Sequence, residues 1–139
     1  MLNNSKYIEK LRSSGLRPTK QRVKICEVLF NTDKTFHFTI NELVTRISKV
    51  SNYKISLATV YNTVHSFKKK GYLKEIPINS DQSYFDTNTS HHHHFYDETQ
   101  KDLIDIDDAD VEPVKINTII PGKKIKSVEV LVKVEDDKS

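Results

Sequence analysis

The sequence of 139 residues predicts an α+β protein, with an N-terminal winged helix-turn-helix at residues 1–78 and a small C-terminal α/β dimerisation domain at residues 79–139. Three observations predict it: a capped amphipathic helix that ends before Gly71, a β-prone hairpin directly after it, and a change of charge between the halves. Up to Pro77 there are 15 Lys/Arg against 5 Asp/Glu, a net charge of +10, and from Ile78 onward there are 7 against 14, a net charge of −7. Such asymmetry is typical of a polyanion-binding half joined to a half with another task.

Composition excludes several classes of protein. A hydrophobic content of 36% and a charged content of 29% describe a globular chain. No apolar run approaches the ~20 residues needed to span a membrane, and no N-terminal segment resembles a signal peptide. The single cysteine, Cys26, excludes an intrachain disulfide and a cysteine-based zinc cage, so we expect a cytoplasmic protein.

Three helices are predicted before the strongest one. The first spans residues 2–14. Thr19 opens a second helix that continues to Phe30, and Thr39 opens a third. Thr39 is followed three residues later by Glu42, the pattern of a capping box, in which each side chain accepts from the other residue's backbone N–H. The apolar positions of the third helix are Leu43, Val44, Ile47 and Val50.

The fourth helix is the most informative stretch. Ser56 is a typical N-cap, and Gly71 is a typical residue just past a helix end. The opposite face to its apolar stripe carries short polar side chains, with Tyr61 at the edge, and three lysines close the last turn. For an isolated helix, an ordinary amphipathic surface helix is the simpler interpretation. The predicted buried stripe consists of Leu57, Val60, Val64 and Phe67.

The segment after this helix changes that interpretation. Residues 72–78 and 83–86 are β-prone and flank a turn-rich stretch, so they predict a hairpin. Several helices followed by a two-stranded wing are typical of a winged helix-turn-helix, with the strongest helix in the recognition position. Its polar face then predicts a surface that reads base edges in double-stranded DNA, with lysines near phosphates.

The C-terminal half predicts two strands and leaves one segment open. A short strand is expected at 103–106, and a longer one at 126–134, where valines alternate with other residues. Between them, residues 107–120 allow either a short helix capped by Asp110 or, because of Pro113, no helix. A half of about sixty residues buries too little core to stand alone easily, so we expect a homodimer across this sheet.

Four consecutive histidines, His91 to His94, are the second unusual feature. An expression tag or a solvated loop would be the simpler interpretation, but the run lies mid-domain and carboxylates stand on both sides of it. In an extended run His91 and His93 face one side, and His92 and His94 the other, so one segment could serve two sites. An N/O ligand set without thiolate suits Zn, Mn or Fe(II), and histidine also binds haem iron. We find no complete general-base and nucleophile set beside the run, so an enzyme is not expected.

These segments resemble the ferric uptake regulator (Fur) family, and most closely its iron response regulator (Irr) branch. The most specific similarity lies in the fourth helix and the second wing strand, and Asn62 favours this branch. The matching segments are L-R-S-S-G-L-R-P-T-K-Q-R at 11–22, S-L-A-T-V-Y-N-T-V-H-S-F at 56–67, S-Y-F-D-T-N at 83–88, H-H-H-F at 92–95 and L-I-D-I at 103–106.

The resemblance implies a homodimeric, sequence-specific transcriptional regulator that couples iron status to gene expression by sensing haem. We expect it to bind an AT-rich inverted repeat in double-stranded DNA, and no membrane. The residues expected to contact DNA are Arg17, Ser56, Ala58, Thr59, Tyr61, Asn62, His65 and Lys69.

The resemblance also implies two ligand sets and some departures. The paired C-x-x-C motifs of many members are absent, so no Cys-zinc site is expected, and Cys26 is not followed by the proline of a Cys-Pro haem motif. The alternatives are a divalent-metal (Fe, Mn or Zn) or peroxide-responsive repressor without haem sensing, and a metal-buffering protein that does not bind DNA. The implied regulatory metal site consists of His37, Asp86, His93 and Asp105, and the implied haem or second metal site of His91, His92 and His94.

Overall fold

The computed structural model describes residues 4–52 and 54–138, in two compact units, Met1–Thr89 and Ser90–Ser139. The boundary lies after the predicted hairpin, whereas the sequence placed it between 78 and 79. The elements are α1 (Ser5–Ser13), α2 (Lys20–Phe30), β1 (His37–Phe38), α3 (Ile40–Ser51), α4 (Leu57–Lys70), β2 (Lys74–Pro77), β3 (Ser83–Asp86), β4 (His93–Asp97), β5 (Asp102–Ile106), a 3-10 turn (Asp108–Asp110) and β6 (Leu131–Val134).

The predicted helix caps are present in the first unit. Thr39 Oγ1 accepts from the Glu42 backbone N–H at 3.1 Å, and the Glu42 carboxylate accepts from the Thr39 backbone N–H at 3.4 Å. Ser56 Oγ accepts from the Thr59 backbone N–H at 3.1 Å, and Gly71 ends α4 with a φ of +93°, which glycine adopts without strain. The first predicted helix begins at Ser5 in the structure. Its expected start at Leu2 lies outside the described residues.

The core of the first unit joins all four helices to the wing. The stripe of α4 differs from the prediction at its start, because Leu57 is 54% exposed while Thr63 is fully buried. Thr63 satisfies its hydroxyl by donating to the Thr59 carbonyl at 2.8 Å, so its burial leaves no lost hydrogen bond. Val50, predicted on the apolar face of α3, is 70% exposed in the last turn. The buried members of this core are Tyr7, Leu11, Ile25, Cys26, Leu29, Phe38, Leu43, Ile47, Ile55, Val60, Val64, Phe67, Leu73 and Phe85.

The wing has three strands rather than the two predicted. β3 is central, with β2 antiparallel on one side and β1 antiparallel on the other. β1 contains only His37 and Phe38, which is too short for an alternation pattern to be recognised in sequence. Its pairing places His37 directly opposite Asp86, and Phe38 opposite Phe85.

The second unit is built on a three-stranded sheet in the order β5-β4-β6. β4 is antiparallel to β5 and parallel to β6. The strand predicted at 126–134 forms only at Leu131–Val134. The reason is that β4 has five residues and pairs with β6 only from His94 to Asp97. Of the two alternatives left open for residues 107–120, the one without an Asp110-capped helix is found, and the 3-10 turn is the only helical structure among the described residues of this unit. Within the described residues, none of the helices is long and apolar enough to cross a bilayer.

The packing of α4 generates a stability prediction. Phe67→Ala is expected to lower the free energy of unfolding by about 3–5 kcal/mol, because it leaves a cavity beside Phe30 and Tyr72. Leu57→Ala is the matched control on the same helix, and it is expected to cost less than about 1 kcal/mol because Leu57 is exposed. Urea unfolding followed by circular dichroism measures both values, and equal losses would mean that the buried stripe is misassigned.

Candidate metal centre and nucleic-acid interface

The histidine run alternates across the sheet as the sequence predicts. His93 and His94 open β4, and the pairing places His94 directly opposite Asp105 on β5. Directly opposed residues of an antiparallel pair point to the same face, with Cβ atoms about 5 Å apart. His92 lies on this face too, since its ring centroid is 4.3 Å from that of His94.

These three side chains form a compact group of possible ligands. His94 Nε2 lies 3.2 Å from Asp105 Oδ1, and His92 Nε2 lies 3.5 Å from the same oxygen. One ligand atom from each residue lies within 4.8 Å of the others. His94 is buried, His92 half-buried and the Asp105 carboxylate 58% exposed, so the group is accessible from one side. The carbonyl of Ser90 lies 2.9 Å from His92 Nδ1, which orients this ring with Nε2 toward Asp105.

The grouping differs from the one implied by the resemblance. Asp105 was expected to share a site with His93, but His93 lies on the opposite face, and its Nδ1 accepts from the Val130 backbone N–H at 2.9 Å. His91 Nδ1 lies 3.5 Å from the Glu129 carboxylate, apart from the two rings with which it was expected to act. The β4–β5 register is the physical reason, because it pairs Asp105 with the even-numbered histidines.

His37 and Asp86 belong to the first unit, where the structure makes them cross-strand partners in the wing. The His37 ring meets the Tyr84 ring edge-on, with centroids 5.9 Å apart. Asp86 is 2% exposed, and its Oδ1 accepts from the Asn88 backbone N–H at 2.8 Å. The resemblance had implied that these two residues lie together, but their cross-strand pairing was not predicted, because it depends on β1.

Seven of the eight predicted DNA contacts lie on α4 or at its N-cap, and the eighth is Arg17. Tyr61 is 51% exposed, and Thr59 and His65 are half-buried. Arg17 is exposed before α2, where it lines a shallow groove together with Thr59, and its carbonyl accepts from Arg22 Nη1 at 2.8 Å. The exposed members of the predicted set are Arg17, Ser56, Ala58, Tyr61, Asn62 and Lys69.

Cys26 takes no part in either surface. It is fully buried in the core, and desolvation by burial raises the pKa of its thiol to about 12, against a smaller lowering by Lys10. Burial thus disfavours the reactive thiolate, which agrees with the packing of Cys26 as a small hydrophobic side chain in the core.

Comparison with known proteins identifies the family. The model of the ferric uptake regulator family matches residues 13–134. The chain belongs to the ferric uptake regulator family. The peroxide-responsive repressor PerR of Staphylococcus epidermidis is 36% identical over 99 residues, and the PerR of Staphylococcus saprophyticus is 35% identical over 98 residues. The match to the first covers 70% of this chain and 63% of the relative, so just under two thirds of the relative's length is represented.

Solved structures confirm the predicted α+β fold class of this ferric uptake regulator-family protein. The ferric uptake regulator of Pseudomonas aeruginosa with manganese superposes with a TM-score of 0.67 at 20% identity, covering 95% of this chain and 98% of the other. That of Vibrio cholerae gives a TM-score of 0.69 at 21% identity, covering 93% and 98%. At this identity the likeness concerns the fold alone. The relatives found do not single out the iron response regulator branch.

The donor set fits a divalent transition metal. Two imidazoles and one carboxylate suit Fe(II), Mn and Zn, and the absence of thiolate from the set argues against softer ions. Asp105 Oδ1 lies within 3.5 Å of the Nε2 atoms of both His92 and His94, so these three side chains are the ones that would hold such an ion.

The geometry predicts unequal roles for the histidines. His94→Ala is expected to weaken Mn²⁺ binding by at least about tenfold, because it removes one of three converging donors. His91→Ala is the matched control from the same run and is expected to retain the wild-type affinity, since its ring faces Glu129. Isothermal titration with Mn²⁺ measures both. Equal losses in the two variants would contradict the assignment of faces.

Proposed function

We propose that this chain is a homodimeric, sequence-specific DNA-binding transcriptional regulator, acting in the cytoplasm, that responds to iron status through the group His92, His94 and Asp105. The observation that carries the proposal is the convergence of these three ligand atoms within 4.8 Å, in a chain whose other unit carries a capped recognition helix. The resemblance also assigns ligand roles to His37, Asp86 and His93, and these remain predictions.

Charge and exposure support the DNA-binding role. The half up to Pro77 carries a net charge of +10, and the exposed side of α4 presents small polar groups and one aromatic ring. Lysines 68–70 close the helix, where their charges suit both the helix dipole and nearby phosphates. Neutralising several phosphates releases counterions, so the affinity of such a surface falls steeply with salt.

Exposed apolar side chains in the second unit support a homodimer. Phe95 pairs across the sheet with Ile104 on β5 and Val132 on β6, and these three side chains form a strip that is 36–44% exposed. Ile119 and Ile120 are exposed by 80% and 69% before the turn at Pro121 and Gly122. Exposed apolar side chains of this kind are typical of an interface, and we propose that a second copy of the chain covers them.

The ligand is proposed to be a divalent metal, haem or both. The segments that resemble the iron response regulator branch support haem as the ligand. Imidazole is a standard axial ligand of haem iron. The rings expected to bind haem, those of His92 and His94, are the ones grouped with Asp105. A metal ion and haem iron would therefore use the same nitrogen atoms and exclude each other.

A peroxide-responsive repressor is the second candidate function. The curated relatives at 35–36% identity are peroxide-responsive repressors, and two histidines with one carboxylate are a ligand set of redox-active Fe(II). Release of DNA by peroxide from Fe²⁺-loaded protein, but not from Mn²⁺-loaded protein, would favour this candidate over a haem sensor.

The DNA-binding proposal is tested by selection from a random duplex library with Mn²⁺-loaded protein. Wild-type protein is expected to enrich an AT-rich inverted repeat and to bind it with an affinity that falls steeply with salt. Tyr61→Ala is expected to lose about 1–3 kcal/mol of specific binding with little change in thermal stability, because Tyr61 lies at the surface. No enriched sequence, or binding that salt does not affect, would contradict the proposal.

Haem and metal are expected to compete. Titration of haem into protein saturated with Mn²⁺ should show a lower apparent affinity than titration into metal-free protein, since both need the His92 and His94 rings. Replacing both histidines with alanine should abolish the haem absorbance shift and Mn²⁺ binding together. Simultaneous binding of haem and Mn²⁺ at full affinity would show that haem is held elsewhere.

A further inference from the structure

The ring of His65 lies between the recognition helix and the wing. Its centroid is 4.1 Å from that of Tyr61, one helical turn earlier, with the planes tilted by 41°. On its other side it meets the Phe85 ring of β3 edge-on, with centroids 5.4 Å apart and an interplanar angle of 81°. These distances are those of direct aromatic contact.

The Phe85 ring, on which His65 packs, is buried in the core. Phe85 is 2% exposed and stacks on Phe38 of β1, whose exposed fraction is 3%. Tyr61 in contrast is 51% exposed, and without a neighbouring ring its side chain could choose among several rotamers. Among the described residues, the ring that the Tyr61 ring contacts is that of His65.

Glu75, a charged residue that interacts electrostatically with His65, already has a partner. Glu75 on β2 lies 3.0 Å from Lys68 Nζ, so its carboxylate is paired with a lysine of α4. Burial acts to raise the pKa of Glu75, but hydrogen bonds from Ser83 and Lys68 outweigh it and hold the pKa below its usual value. The contact between the two rings is therefore the main way in which His65 restricts the orientation of the Tyr61 side chain.

We propose that His65 is a positioning residue for DNA recognition: it wedges between Phe85 and Tyr61 and holds the Tyr61 ring in the orientation that meets the bases. The inference rests on the proposed function and changes one part of it, since His65 was expected from the sequence to contact DNA directly. The half-buried ring of His65 packs on the rings of Tyr61 and Phe85. His65 thus affects DNA specificity by orienting Tyr61.

Three single variants test the inference. His65→Ala removes the wedge, His65→Phe keeps a ring of similar size without ring nitrogens, and Ser48→Ala on α3 is an exposed control away from these rings. Affinity is measured for the duplex selected by wild-type protein and for a duplex of random sequence, both with Mn²⁺. Thermal unfolding of each variant shows whether it is folded.

The expected pattern separates positioning from contact. His65→Ala should lose about three- to tenfold of its affinity for the selected duplex, the range that one aromatic contact supplies, and keep its affinity for random duplex within about twofold. His65→Phe should recover most of the loss. If His65→Phe binds as weakly as His65→Ala, the ring nitrogens themselves contact DNA and the inference is overturned.

A double-mutant cycle gives an independent readout. If His65 acts through Tyr61, the variant with both Tyr61→Ala and His65→Ala should bind the selected duplex no more weakly than Tyr61→Ala alone. Additive losses would overturn the inference, as would unchanged specific affinity in His65→Ala while wild-type protein selects a sequence. If wild-type protein selects no sequence at all, the proposed function itself fails and the inference fails with it.

Discussion

The burial of one face of α4 is the interaction on which the exposed surface of that helix, proposed above to contact DNA, depends. Four side chains of this helix are fully buried, namely Val60, Thr63, Val64 and Phe67. Because the helix has 3.6 residues per turn, burying these positions determines which side chains point toward solvent. The caps at Ser56 and Gly71 fix where that surface begins and ends. Burying a threonine in this stripe is tolerated because its hydroxyl bonds within the helix.

The antiparallel register of β4 and β5 plays the corresponding part in the second unit. It sets His94 opposite Asp105 and so decides which histidines of the run share a carboxylate. A slip of one residue would turn the other pair toward Asp105, because successive side chains of a strand point to opposite faces. His93, on the other face of the run, accepts a hydrogen bond from the Val130 backbone N–H, which connects the run to the residue just before β6.

The two units divide the charge of the protein between them. Residues up to Thr89 carry 15 Lys/Arg against 7 Asp/Glu, a net charge of +8, and those from Ser90 carry 7 against 12, a net charge of −5. The division seen in the sequence therefore persists when the boundary moves past the hairpin. A basic unit suits a polyanion, and an acidic unit with clustered imidazoles suits a cation.

The sequence by itself determined the four helices, the caps at Thr39, Ser56 and Gly71, the hairpin, the strand at 103–106 and the alternation within the histidine run, because these follow from local periodicity and capping chemistry. It also carried the similarity that placed the chain in its family. Only the tertiary structure decided the third wing strand at His37 and Phe38, the shortness of β6 and the pairing of Asp105 with His92 and His94. Each of these depends on which strand lies beside which and in what register, and a pattern along one chain does not contain the identity of its cross-strand partner.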